Sequence, residues 1–468
     1  MSHTLSDRSG RSGVVLAIIM ASYLMIVIDI SIVLTGLPRI QASLGFTNAS
    51  LSWVQNAYTL TFGGFLLLGA RAGDILGRRR MFITGLAIFT LASLAIGAAM
   101  SPGWMLTFRA VQGFGAAVLA PSTLALISTH FAEGHERTRA LSWYAAAAGI
   151  GATVGLVLGG LLADLISWRA GFFINLPIGL LLIWGARRNI AETPLHSGRF
   201  DLAGAMTSTV GMSALVFGIV QAAETGWSSA WTQYAIGVGV LLLALFLFVQ
   251  TRARQPVLPL RLFSDKARNA AYGARLLFLA GMVGFWFFTA QYLQRVLGFS
   301  PMLAGLAFVP VTVPQFFSSM SVPHAMHRIG PRRLLLAGLA LCVAGLLWQG
   351  VSAPQISYLA GLVGPMVLIG LGQGWVLAPL TMAGVANVES RDAGAASGLV
   401  NVAHQLGASL GLAVLVVVFA SATALPDRVA DLAQRSSQTM EVSALLVFLA
   451  LIVSARYLFV HRPAPQPV

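Results

Sequence analysis

The chain has 468 residues, of which 57% are hydrophobic and only 9% charged, and its mean hydropathy is +0.80. Soluble domains carry about a quarter charged residues, so this composition excludes a soluble globular protein and specifies an integral membrane protein. Lys and Arg (29) outnumber Asp and Glu (15), for a formal net charge of +14, but the arginines are scattered over short loops with no separate basic domain. That pattern argues for membrane topology and anionic-lipid contact, not nucleic-acid binding. The one cysteine, Cys342, lies in an apolar stretch and can make neither an internal disulfide nor a cysteine-based metal site.

Apolar stretches near the roughly 20 residues that cross a bilayer fall at 14–36, 51–70, 81–100, 104–128, 139–163, 168–186, 201–221, 233–250, 271–294, 302–322, 332–351, 356–380, 394–420 and 440–460. They predict an all-α membrane protein with fourteen spans. The first run is longer than the 7–15 residues of a signal-peptide core and leads directly into further spans. With a cytoplasmic N-terminus, twenty-two of the basic residues fall on the cytoplasmic side, five on the other, and Arg109 and Arg275 lie within spans. Losing or adding a span scrambles this asymmetry, so the charge distribution predicts fourteen spans with both termini in the cytoplasm.

In chain order, span 1 carries Asp29 about seven residues inside its outer end. A charge at membrane depth costs roughly 2.5–3.5 kcal/mol on insertion scales, and every other Asp or Glu can be assigned to a loop or a helix end. Asp29 is therefore the candidate for proton chemistry inside the membrane. Span 4 carries Arg109 about six residues inside its outer end, so at 1.5 Å per residue the two charges share a depth of roughly 10 Å. Pairing between them would lower the cost of both, and protonating Asp29 would weaken the pair and bias a conformational equilibrium. A static ion pair that fixes helix packing is the alternative. In span 5, Gly151, Gly155 and Gly159 recur every fourth residue, with Gly160 beside them, a stripe on which another helix can pack backbone to backbone.

Polar side chains dot the remaining spans. Gln55, Asn56, Tyr58, Gln112, Tyr144, Gln291, Gln294, Asn401 and His404 are candidates for a roomy cavity suited to varied lipophilic ligands, with interhelical hydrogen bonding as the alternative for each. Glu224, Trp227 and Trp231 read as anchors in the outer turn between spans 7 and 8. Arg275 in span 9 has no intramembrane acid in its own half and is expected to snorkel to the cytoplasmic surface; an anion or substrate site is the alternative.

The chain also repeats itself. Gly77-Arg78-Arg79-Arg80 after span 2 recurs as Gly330-Pro331-Arg332-Arg333 after span 10, and Val118-Leu119-Ala120-Pro121 recurs as Val376-Leu377-Ala378-Pro379, at offsets of 253 and 258 residues. The order and spacing predict two six-span halves, residues 1–186 and 269–468, with a two-span insertion at 187–268. Parallel halves of this kind belong to secondary transporters that rock around a central site.

Several segments carry a resemblance to a known family. The loop Gly69-Ala70-Arg71-Ala72-Gly73-Asp74-Ile75-Leu76-Gly77-Arg78-Arg79 resembles the G-x-L-x-D-x-x-G-R-[RK] segment of the major facilitator superfamily. Asp74, Gly77, Arg78 and Arg79 match, while Ala70 and Ala72 replace the first Gly and the Leu. Asp29-Ile30-Ser31-Ile32-Val33 running to Leu37-Pro38 looks like D-x-T-x-V-N-V-A-L-P of its fourteen-helix drug:proton antiporters, with Leu34 for the Asn. Arg109-Ala110-Val111-Gln112-Gly113-Phe114-Gly115 resembles R-x-x-Q-G-x-G, and Ser167-Trp168-Arg169 to Ile174-Asn175-Leu176-Pro177 is similar to S-W-R-W-x-F-x-I-N-x-P.

The resemblance covers nearly the whole chain. It implies the major facilitator fold of two six-helix bundles plus two linker helices, with Asp74, Gly77, Arg78 and Arg79 as a conformational latch and Gly151, Gly155, Gly159 and Gly160 as the antiporter-motif glycines. Leu156 stands where that motif has proline, which removes the expected kink.

The sequence thus predicts a multi-pass protein of the cytoplasmic membrane that exports small amphipathic compounds, drugs or antibiotics in exchange for protons, with Asp29 and Arg109 as the coupling residues. A dedicated exporter of an endogenous metabolite, a proton-coupled importer and a non-transporting sensor are the alternatives. No phosphate-binding G-x-x-x-x-G-K-[ST], metal cluster or assembled catalytic group is visible in the sequence, so neither an enzyme nor a cofactor is expected. The expected partners are a small-molecule substrate, protons and membrane lipids, with the chain working as a monomer.

Overall fold

A computed structural model of the protein describes residues 2–131, 135–193, 195, 200–253, 256, 258–355, 357–388, 393–422 and 425–459. The side chains of 2–12, 128, 135, 137–139, 141, 142, 144–150, 355, 393 and 394 are not among those described. The described elements are helical: α1 (Ser2–Leu44), α2 (Trp53–Leu76), α3 (Arg78–Gly97), α4 (Pro102–His130), α5 (His135–Leu165), α6 (Ala170–Phe173), α7 (Asn175–Asn189), α8 (Leu202–Thr225), α9 (Ala230–Arg252), α10 (Lys266–Arg295), α11 (Pro301–Leu306), α12 (Val309–Ser352), α13 (Gly364–Val385), α14 (Ala393–Ser421) and α15 (Arg428–Tyr457).

The starts of several helices are written in the sequence. Ser101 accepts a hydrogen bond from the Trp104 N–H with Pro102 in the first helical position, Asp201 accepts from the Gly204 N–H, and Asp265 accepts from the Ala267 and Arg268 N–H groups. Each supplies an acceptor to helix N–H groups that have no partner within the helix. The repeated Gly-x-Arg-Arg turn also has one backbone solution in both copies. Gly77 takes φ 103° and Gly330 φ 81°, values that glycine adopts without Cβ strain, and each ends one helix and starts the next.

Among the described residues, twelve helical segments are long and apolar enough to cross a membrane, and Gly151–Leu165 is a shorter apolar helix. The sequence predicts fourteen spans, and the difference arises in two places. Pro301–Ser352 is one continuous segment by hydrogen bonding although its backbone turns non-helical at Gly330, and the apolar stretch of α5 with described side chains begins only at Gly151.

Lipid is as apolar as leucine, so helices associate here by close approach. α2 and α3 pack on α4, α1 on α5, α3 on α7, α12 on α13, and α10 on α14 and α15; α8 pairs with α9 and also touches α2 and α14. The two sets of helices meet where α14 packs on α2, with Gly63 against Gln405 and Gly398 against Leu67, and also on the face away from the arginine-rich turn. There Gln294 donates to the Thr35 carbonyl (3.0 Å), and Arg295 donates to Asn48 (3.0 Å) and Gln41. On the same face α11 lies against α5, with Gly160 close to the Pro301 backbone.

This packing makes the glycines unequal. A Cβ at Gly85 of α3 would lie 2.7 Å from the Leu119 nitrogen of α4, whereas one at Gly237 of α9 meets nothing within 4 Å. Gly85→Ala is therefore expected to destabilise by about 1–3 kcal/mol through overpacking. Gly237→Ala is expected to be neutral or to stabilise by up to about 1 kcal/mol. Unfolding of the two detergent-solubilised variants, compared with the unaltered chain, measures both.

Candidate functional site

The most polar buried constellation forms where α1, α3, α4 and α7 meet. Asp29 and Arg109 are each 1% exposed, and Arg109 Nη1 donates to Asp29 Oδ2 at 2.8 Å. The other carboxylate oxygen accepts from Gln112 Nε2 and from Asn175 Nδ2, both at 2.9 Å. Both amides also donate to Ser93 Oγ, at 2.7 and 3.2 Å, and Ser93 belongs to α3. Arg109 is held from other sides as well. Its Nε donates to the Val54 carbonyl (2.8 Å), its Nη1 to Gln112 Oε1 (2.6 Å), and its guanidinium lies 4.5 Å from the centre of the Tyr58 ring.

Three hydrogen-bond donors, one of them a guanidinium, converge on the Asp29 carboxylate. Protonation would remove the charge that Arg109 pairs with and weaken that bond, while the arginine still has Val54, Gln112 and the Tyr58 ring. In the conformation described here, neither charge reaches water.

The glycine stripe of α5 lies against α1 beside this carboxylate. A Cβ at Gly155 would come within 2.7 Å of Ser31 Cβ and 2.9 Å of Ile28 Cα, one at Gly159 within 2.6 Å of Ile32 Cα, and one at Gly151 within 2.9 Å of the Leu24 side chain. Gly160 faces away from α1, toward Pro301. Leu156, in the place of the motif proline, is buried, and α5 is described as helical from His135 to Leu165.

At the arginine-rich turn, Arg78 Nη2 donates to Asp74 (3.1 Å) and Nη1 to the Ala125 carbonyl (3.2 Å). The residue missed from the sequence is Glu192, just past α7. Its two carboxylate oxygens accept from the Arg79 and Arg80 backbone N–H groups at 3.0 and 3.1 Å, and Thr193 accepts from the Arg78 N–H. A carboxylate thus caps the positive end of the α3 dipole. Arg169 does the converse at the far end of α3, donating to the Gly97 (3.0 Å) and Ala99 (2.6 Å) carbonyls while stacking on Trp168.

The predicted cavity residues do not form one cavity. Gln112 belongs to the Asp29 network: its Nε2 donates to Asp29 and Ser93, and its Oε1 accepts from Arg109. Gln294 bridges to Thr35, and Asn401 is exposed and donates to its own helix at Ser397. Gln291 lines a cavity of about 570 Å³ on the face away from the arginine-rich turn, with Thr47, Glu224, Asp431 and Arg435. Glu224, predicted as an anchor, bonds Thr47 there, while Trp227 and Trp231 are exposed. Asn56 and Tyr58 are buried, and their polar atoms, like Gln55 Oε1, have no partner among the described residues. The Tyr144 side chain lies outside the described residues.

Arg275 does not snorkel. It is buried between α10, α13 and α14, donating to Thr381 Oγ1 (2.8 Å) and meeting His404 Nδ1 (3.2 Å). The other large cavity, about 430 Å³ and almost wholly apolar, lies between α2, α8, α9, α10 and α14, lined among others by Gly63, Met212, Phe246, Tyr272 and Leu406. None of the predicted cavity residues lines it; its polar lining residues are Ser208, Thr209, Asn269 and Tyr272.

Residues 19–412 match the sequence family described as Major Facilitator Superfamily. The chain is 41% identical over 423 residues to the cephamycin export protein CmcT of Amycolatopsis lactamdurans, covering 89% of this chain and 87% of that one. It is 39% identical to the puromycin resistance protein pur8 of Streptomyces alboniger, over 87% of this chain and 82% of that one. Among solved structures, a bacterial homologue of the human lysosomal transporter Spinster aligns with a TM-score of 0.69 at 15% identity, covering 96% of this chain and 98% of that one. At that identity the likeness is one of fold.

The α3 cap yields a direct test. Glu192→Ala is expected to cost about 1 kcal/mol, in the range of lost helix caps, and to speed amide exchange at Arg79 and Arg80 while leaving Ser93 unaffected. Hydrogen exchange on the solubilised protein measures it.

Proposed function

This chain belongs to the Major Facilitator Superfamily, and from that premise we propose that it is a fourteen-span drug:proton antiporter that exports small amphipathic antibiotics. The single observation that carries the proton half of the reading is the buried Asp29–Arg109 pair with its three donors to the carboxylate. The relatives' functions, cephamycin export and puromycin resistance, support antibiotics as the cargo.

The fourteen spans are the twelve apolar segments with Pro301–Ser352 divided at Gly330 and α5 added. An α12 of 44 residues would run about 66 Å as one helix, twice a hydrocarbon core of about 30 Å. Positive-inside asymmetry orients the arginine-rich face and both termini toward the cytoplasm. Two six-helix bundles, residues 1–186 and 269–468, then flank the inserted pair α8 and α9, and the coupling network lies within one bundle of one chain, so a monomer suffices.

In this cycle the present conformation keeps Asp29 bonded to Arg109, with polar contacts between the bundles on the outer face. Reopening to the outside lets a proton reach the carboxylate. Breaking a buried pair costs about 3–5 kcal/mol when a partner is left uncompensated; Val54, Gln112 and the Tyr58 ring keep Arg109 from that extreme. The protonated state therefore favours a different packing of α1 on α5, along the glycine stripe. Each inward proton charge supplies roughly 2.3 kcal/mol per 100 mV of membrane potential. The latch at Asp74, Gly77, Arg78 and Arg79 reports this rearrangement at the cytoplasmic face.

Asp29→Asn is expected to leave the protein folded and membrane-inserted but to abolish proton-driven accumulation of puromycin or a cephamycin in inside-out vesicles. Exchange of labelled for unlabelled drug without a gradient is expected to persist. Undiminished drug-dependent proton movement in this variant would overturn the coupling assignment.

A further inference from the structure

The apolar chamber of about 430 Å³ takes no part in the Asp29 network, and its wall limits what it can hold. Among the described residues that wall carries no charge. Its hydroxyls are used inside the protein: Ser208 and Thr209 donate to the Ala205 carbonyl (3.0 and 2.7 Å), and Tyr272 donates to the Gly384 carbonyl (2.9 Å). The Asn269 amide donates to the Phe263 carbonyl (2.6 Å), and its Oδ1 is buried. A polar ligand group placed here would lose water without gaining a partner, which is unfavourable. The volume suits a small ligand, and the wall suits one made of hydrocarbon.

The rim of the chamber is open and lies beside positive charge. Leu247 of α9 and Phe263, just before α10, both line it and are 51% and 39% exposed. Gly273 of α10 also lines it, and a Cβ added there would meet nothing within 4 Å. Along α10 the lining residues Asn269, Gly273 and Leu276 share one helix face with Lys266, at spacings of three, four and three residues. Lys266 is the first residue of the helix and is exposed; Leu276 lies about 15 Å further along the axis. The stretch 251–268, which contributes Leu258 and Phe263 to the chamber, carries Arg252, Arg254, Arg261, Lys266 and Arg268 against one acid, Asp265. Asp265 is engaged by the Ala267 and Arg268 N–H groups as a helix cap.

We propose that this chamber binds an acyl chain of an anionic phospholipid, with the phosphate at Lys266 and the chain running inward between α8, α9, α10 and α14, against α2. An antibiotic with polar groups is the poorer fit, because the wall offers those groups no partner. The chain fills the space between the inserted pair and the seam where Gly63 of α2 meets Gln405 of α14. The inserted helices then hold the two bundles through a lipid as well as through direct contact. Only the leaflet, the cytoplasmic one, rests on the proposed orientation; the site depends on neither proton coupling nor cargo.

The test places the purified full chain in phosphatidylcholine nanodiscs doped with a phosphatidylglycerol that bears a diazirine near the end of one acyl chain. Illumination followed by mass-spectrometric mapping is expected to find adducts on the chamber face of α9 and α10, at Leu247, Gly273 and Leu276. The same probe with a choline headgroup is expected to label them about fivefold less, the scale of one basic residue at an anionic surface. Gly273→Phe, which fills the chamber from a position with open space, is expected to remove the chamber adducts and keep those on the exposed Leu241 and Leu245 of α9. Lys266→Gln is expected to equalise the two headgroups. Adducts confined to residues outside the chamber in the unaltered chain would overturn the proposal without any variant, and so would equal labelling by the two headgroups. Chamber adducts undiminished in Gly273→Phe would overturn it as well. If a photoreactive azido analogue of puromycin labels the chamber and the lipid probe does not, the site belongs to the cargo and the lipid assignment falls. Both leaflets of a nanodisc carry the probe, so a reversed orientation or a failure of drug transport leaves each result standing.

Discussion

An ionised carboxylate inside a bilayer must bring its own solvent, and the first half of this protein is organised to supply it to Asp29. Arg109 from α4 contributes charge, Gln112 from the same helix and Asn175 from α7 contribute amide donors, and Ser93 from α3 ties the two amides together. Four helices thus converge on one side chain. Moving any of them changes how well the charge is solvated, and changing the charge alters which arrangement of the helices is favoured. That reciprocity is what a coupled transporter requires.

α3 shows how the arrangement is held. It is held by the segment around α7: by Glu192 at its positive end, and toward its negative end by Asn175 on Ser93 and by Arg169. The two terminal contacts oppose the helix dipole with charges of the right sign, and the middle one belongs to the Asp29 network. α7 and the residues flanking it thus touch both the Asp29 network and the arginine-rich turn. On the other flank, the glycines of α5 leave no side chain between α1 and its neighbour, so small shifts of α1 cost little repacking.

Much of this was legible in the sequence because burying charge in lipid is so costly that it leaves a pattern in hydropathy. Asp29 and Arg109 stood out as charges at matching depth, and the structure joins them. The Gly77 and Gly330 turns were visible as a repeat, and both take positive φ. What the sequence hid were contacts that depend on which way a helix face points. In the sequence Gln112 reads as a cavity residue, because an amide looks alike whether it solvates a carboxylate or a ligand. Asn175 and Asp29 are separated by 146 positions, and Glu192 sat in a polar stretch that resembles any loop. Arg275 was expected to reach the surface from its distance to the helix end, yet Thr381 and His404 on two other helices hold it inside. The span count differed because Gly330 and the described length of α5 decide where one crossing ends.

Adding puromycin to the purified protein in weakly buffered detergent, with a pH indicator to follow the proton, asks whether Asp29 releases its proton when the drug binds. Saturable release is expected from the unaltered chain and none from Asp29→Asn, with drug binding retained in both. Equal release from the two would contradict the role of Asp29, because the proton would then come from another group.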